Sequence, residues 1–128
     1  MIRAILSMLW LFCLATSATG KDARPSLLCG GAEPFWSLAI DQETAHFSAP
    51  DRPEISYAIP DERTALGRDW PRGLTLTAPE DTAIALVRPE VCGDTMSDQE
   101  FGWRIDLLTQ WAGEAVIVTG CCREAPTR

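Results

Sequence analysis

The chain is poor in the residues that most binding and catalytic chemistries need. Lys21 is its only lysine and His46 its only histidine. With so few cationic side chains, none of them clustered, no basic stripe exists that could track a phosphate backbone, so nucleic acid is not an expected partner. A single imidazole and no Cys-x-x-Cys leave neither the ligand spacing of a zinc site nor a thioredoxin-type redox pair. Gly30-Gly31 lacks the later glycines and the strand-to-helix setting of a nucleotide-binding loop. No apolar run reaches the length of a membrane-spanning helix; the stretch Ala112 to Val118 is short and carries Glu114. Helical periodicity is absent beyond two turns. No cofactor is expected.

What the chain does have begins with its front end. Arg3 precedes the apolar run Ala4 to Leu14, and Thr16-Ser17-Ala18 places small residues before a cut. This is the pattern of a secretory signal over residues 1–18, which would carry Cys13 away with it. The expected location is periplasmic or secreted. About 110 residues then remain, enough for one domain. The formal charge is −7. Such a charge permits a basic protein partner in the envelope but bears more directly on solubility. Oligomeric state is not legible.

The expected organisation is a flexible leader over 19–28, one β domain over 29–124 and a tail over 125–128. Cys29 to Pro34 reads as a turn-rich start to the domain. Phe35 to Ile40 alternates, with Trp36, Leu38 and Ile40 on one face and Phe35, Ser37 and Ala39 on the other, which predicts a strand. Further strands are predicted over Thr44 to Ser48, over Ile55 to Ile59 (ending at Pro60), over Leu74 to Thr77, over Ala83 to Val87 (ending at Pro89), from Phe101 to Leu107, and over Ala115 to Cys121. The stretch Asp61 to Asp69 reads as a loop or a single helical turn. About seven short strands separated by Pro, Gly and Asp turns predict an all-β fold, a small antiparallel barrel or sandwich. Trp36, Trp70, Trp103 and Trp111 supply large apolar groups for its core.

Cys29, Cys92, Cys121 and Cys122 predict two disulfides. A bond between the adjacent pair is geometrically disfavoured, because successive α-carbons are 3.8 Å apart. Cys29 then pairs with one of them and Cys92 with the other, and which is which stays open. Successive strand residues point to opposite faces, so the pair would hold two segments at once. Reduced vicinal thiols could instead bind a soft ion such as Cu(I).

No catalytic set is legible. His46 has no evident partner beyond nearby Ser48. Asp94 and Asp98 lack the rest of a calcium loop. Ser97 lacks a nucleophile elbow. The strings Cys29-Gly30-Gly31-Ala32-Glu33-Pro34-Phe35-Trp36, Cys92-Gly93-Asp94-Thr95-Met96-Ser97-Asp98 and Gly120-Cys121-Cys122 resemble, in that order, an uncharacterised family of bacterial envelope proteins. Phe101-Gly102 departs from the Tyr-Pro step frequent there. In size, compartment and β content the chain is also similar to the small periplasmic inhibitors of C-type lysozymes. The resemblance implies an exported or lipid-anchored β domain and transfers no catalytic residue. Glu33, Trp36, Met96, Ser97 and Asp98, drawn from the first two strings, are the candidate binding residues. The expected function is a non-catalytic binding or interaction module. Alternatives are a small-ligand carrier with a hollow barrel, a lysozyme inhibitor, or a structural envelope protein.

Overall fold

The computed structural model describes residues 23–93 and 98–126. Eight strands follow one another: β1 (Leu27–Ala32), β2 (Phe35–Ile40), β3 (Thr44–Ala49), β4 (Arg52–Thr64), β5 (Arg72–Ala78), β6 (Asp81–Gly93), β7 (Glu100–Trp111) and β8 (Glu114–Glu124). Each pairs antiparallel with the next, and β8 returns to β1, closing an up-and-down barrel. Closure leaves a small all-β domain with few exposed strand edges.

Period-two alternation sorts the side chains. Trp36, Leu38 and Ile40 of β2, Phe47 of β3, Leu74 and Leu76 of β5, and Trp103, Ile105 and Leu107 of β7 are all buried in one cluster. Each fully buried Leu or Ile contributes about 1.5–3 kcal/mol relative to leaving it exposed. Phe47 stacks with Trp36 at 6.3 Å between ring centroids and meets Trp111 edge-on at 6.0 Å. Trp70 and Trp103 make a second edge-on pair at 5.0 Å.

The barrel has one strand more than the seven expected, and it lies in the segment read as leader and turn. β1 begins at Leu27, so residue 29 falls inside a strand rather than at a domain start. Arg24, three residues earlier, is 1% exposed. Its Nε donates to Glu62 Oε1 at 2.7 Å and its Nη2 to the Asp41 carbonyl at 3.0 Å, which closes one end of the barrel. At the same end the chain's tail is tied in as well, with Ala125 N donating to Ser26 O at 2.8 Å.

Two prolines expected to end strands do not. β4 continues through Pro60 to Thr64, and β6 through Pro89 to Gly93. Pro60 lies inside a register shift, between Ala58 and Asp61, and Pro89, partnered with Trp103, borders the shift that runs to Cys92. A bulge leaves a residue out of the ladder, so the missing N–H costs little there. The segment from Asp61 to Thr64, read as loop or helical turn, is therefore strand. The expected signal segment and Met96 and Ser97 lie outside the described residues. Among those residues no helix is long and apolar enough to cross a membrane.

A candidate binding groove at the barrel seam

The seam between β1 and β8 is short, running only from Leu27↔Glu124 to Gly30↔Cys121. Its shortness follows from the sequence. After Ala32 the chain turns at Glu33-Pro34 into β2, and Pro34 has no N–H to offer a ladder.

Both disulfides meet here, and the vicinal pair splits between them. Cys122 points inward and is bonded to Cys29, its direct cross-strand partner, with α-carbons 4.0 Å apart. Cys121 points outward and is bonded to Cys92, with α-carbons 5.5 Å apart. The first bond fastens the seam. The second holds the far end of β6, beyond its bulge, against the outside of the barrel.

The result is a groove of about 680 Å³ on the outer wall. Its floor is made of small residues of β1 and β8: Gly30, Ala32, Thr119 and Cys121. Phe35, 58% exposed, stands on one side with Glu33. Phe101 and Gly93 stand on the other, where β6 and β7 extend together. Arg104 and Arg123 add positive charge. Arg104 is engaged by Glu90, which also faces Arg88 at 3.9 Å. Arg88 reaches Asp106 at 3.5 Å, and Thr119 Oγ1 donates to Asp106 Oδ1 at 2.8 Å. Arg123 makes no ion pair among the described residues.

The candidate residues read from sequence fall differently from one another. Glu33 lines the groove, exposed at the β1–β2 turn. Asp98 is exposed at the start of the segment leading into β7. Trp36 is 5% exposed and belongs to the core, so its part is to support the floor rather than to touch a ligand. An added Cβ at Gly31 or Gly120 would meet the Trp36 ring, and the one at Gly120 would also strike the Gly30 carbonyl. The glycines of these strings thus serve the fit of indole to backbone. Phe35, Phe101, Arg104 and Arg123 were not among the candidates. Their signal was present in the alternation: each lies on a strand whose neighbouring residues define the core face, or at its flared end.

Elsewhere, His46 Nδ1 lies 3.0 Å from Ser56 Oγ on the exposed outer wall of β3 and β4, where the two residues are register partners; Ser48 instead pairs with Ser37. At the mouth formed by the β3–β4, β5–β6 and β7–β8 turns, the Arg52 guanidinium lies over Phe47 and Trp111, 5.0 and 5.2 Å from the ring centres. Tyr57 donates to Asp81 Oδ2 at 2.7 Å below it. Burial, then the hydrogen bond to Asp81 and its negative charge, push the Tyr57 phenol above its ordinary value. Among the described residues no group of three or more His, Cys, Asp and Glu is placed to hold a metal ion.

In comparison with known proteins, no family model, curated protein or solved structure matches the chain.

Proposed function

We propose that this protein is a non-catalytic binding module exported to an oxidising compartment, and that its binding face is the seam groove. The observation that carries the reading is the pinning of both groove flanks by the two disulfides around a floor of small residues. A backbone can approach such a floor closely, while Phe35 and Phe101 offer apolar flanks and Arg123 an available charge. That combination suits an extended protein segment bearing an apolar side chain and a carboxylate. Aromatic and arginine anchors are the usual carriers of interface energy. The barrel axis, in contrast, is occupied by the buried cluster around Leu38, Phe47, Leu76, Ile105 and Leu107, which favours an external site over an interior carrier. Two structural disulfides suit an exported chain, in keeping with the signal-like front end.

The test is panning of a random peptide library against the immobilised, oxidised protein. Enrichment of peptides combining an apolar and an acidic residue, lost with Phe35→Ser and with Arg123→Glu, supports the groove. Absence of enrichment, or enrichment indifferent to both substitutions, removes it.

A further inference from the structure

β8 is longer than the seam that closes on it. From Glu114 to Trp111's side of the hairpin down to Cys122↔Trp103, every residue of β8 has a partner on β7. On its other edge only Cys121 to Glu124 are paired, with β1. Among the described residues no backbone hydrogen bond outside the ladders reaches Glu114 to Thr119. The barrel is therefore closed below and leaves one strand edge unpaired above. Unpaired edges with exposed apolar side chains are templates for strand addition. Natural edges are normally blunted by Lys, Pro or inward charges. Ala115-Val116-Ile117-Val118-Thr119 has none of these.

The outer face beside this edge is also apolar. Ile84, Leu108 and Ile117 are register partners in one row across β6, β7 and β8, and all three are exposed, Ile117 at 68%. A hollow of about 440 Å³ next to them is lined by uncharged residues, among them Thr75, Gln110 and Val116. In a chain of formal charge −7, an uncharged edge and row are a local exception.

We propose that the free edge of β8 pairs antiparallel with the same edge of a second copy. Charge placement singles out a second copy. With Ile117 opposite the partner's Ile117, Val116 faces the partner's Val118 and Ala115 the partner's Thr119. Glu114, the one charged residue of the free edge, then lies beyond the paired run, level with the partner's Gly120, where β1 already closes on β8. The two Glu114 carboxylates are held about 20 Å apart along the strands, beyond the screening length at physiological salt. Two acidic chains thus meet where neither carries charge. Apart from Glu114 at its end, the edge offers a basic partner no carboxylate. The two-fold axis keeps both Ile117 side chains on one face, so the row Ile84–Leu108–Ile117 continues unbroken into the partner's copy. Each copy brings the same unpaired backbone groups, and an isologous contact satisfies both sets.

The experiment is sedimentation of the oxidised full chain over a concentration series, combined with amide hydrogen exchange. A dimer is expected, with the amides of residues 114–118 that face away from β7 protected at high concentration and exchanging on dilution. Ile117→Lys, at an exposed position, is expected to weaken association at least about tenfold while leaving the far-ultraviolet spectrum intact. The exchange measurement uses the unmodified chain, so the outcome does not rest on that variant folding. A monomer at every concentration with freely exchanging edge amides overturns the proposal, as does a dimer whose protection maps elsewhere, or an edge protected only when an unrelated peptide is added.

Discussion

Gly31 lies directly across the β1–β2 ladder from Trp36, and the indole occupies the space that any larger side chain at Gly31 would need. Gly120, on β8, closes over the same ring and approaches Gly30 even more tightly. One tryptophan thus dictates two glycines on two different strands, and the seam and the groove floor follow from that fit.

Substitution at these glycines separates the two kinds of neighbour. At Gly120 the obstruction is backbone, the Gly30 carbonyl, which cannot swing aside as a flexible side-chain end can. Gly120→Ala is expected to destabilise the domain by about 2–3 kcal/mol, the upper part of the range for overpacking. Gly102→Ala, where an added Cβ meets nothing within 4 Å, serves as the control and is expected to be far milder. Urea melts of the oxidised variants read the difference.

The two disulfides are expected to differ in what they contribute. Cys29–Cys122 spans 93 residues and Cys92–Cys121 spans 29. Chain-entropy arguments give about 4–5 kcal/mol for the first and about 3–4 kcal/mol for the second. Pairwise Cys→Ala variants, melted side by side, check the order. Loss of the outer bond should also free the β6–β7 extension, seen as faster exchange at Gly93 and Phe101, while the core amides stay protected.

Arg24 closes one barrel end from outside the strands. Its side chain is fully buried, whereas Glu62 is about a third exposed. Arg24→Ala removes the buried stem, the ion pair and the donor to the Asp41 carbonyl, and is expected to cost about 3 kcal/mol. Glu62→Gln keeps an acceptor, and water already reaches that side, so its cost is expected near 1 kcal/mol. A double-mutant cycle measures the coupling between them.

Tyr57 is the chain's only tyrosine, so its ionisation can be followed without ambiguity by ultraviolet absorbance. Its folded-state value is raised, chiefly by burial and then by Asp81. The neutral phenol is the form the fold favours. That contribution is complete below the unfolded value of about 10 and is lost as pH rises through the folded value. The native protein should therefore show no phenolate at a pH where the urea-unfolded chain shows it fully, and its stability should fall above about pH 10. Tyr57→Phe should flatten that alkaline loss.

Much of the barrel was legible in the sequence because alternation is a direct consequence of the pleat. Phe35–Ile40 places its buried and outward residues as expected, and the run from Phe101 to Leu107 is strand as predicted. β1 was not legible, since Cys29-Gly30-Gly31 has the composition of a turn. Its glycines answer to a tryptophan on the next strand and to a strand at the far end of the chain, neither of which a local window contains. Pro60 and Pro89 misled for a related reason, because a bulge excuses a proline only once the partner's register is known. The disulfide pairing was narrowed to two choices, and the inward or outward sense of β8 decides between them. Of the groove residues, Phe35 was visible only as an outward position and Arg123 lay past the last predicted strand; both gain meaning once β1 and β8 lie side by side.

The seam joins the barrel's first strand to its last, which sets an order of assembly on a chain made from its N-terminus. β2 to β7 can each find a neighbour as soon as the next strand is complete, but β1 keeps one edge waiting until Cys121 and Cys122 arrive together. Of the two cysteines they seek, Cys92 is nearer along the chain, and the shorter loop closes at the smaller entropic cost. The outer clasp is thereby positioned to form first and to carry β8 toward β1, so that the wall is latched from outside before it is sewn shut from within.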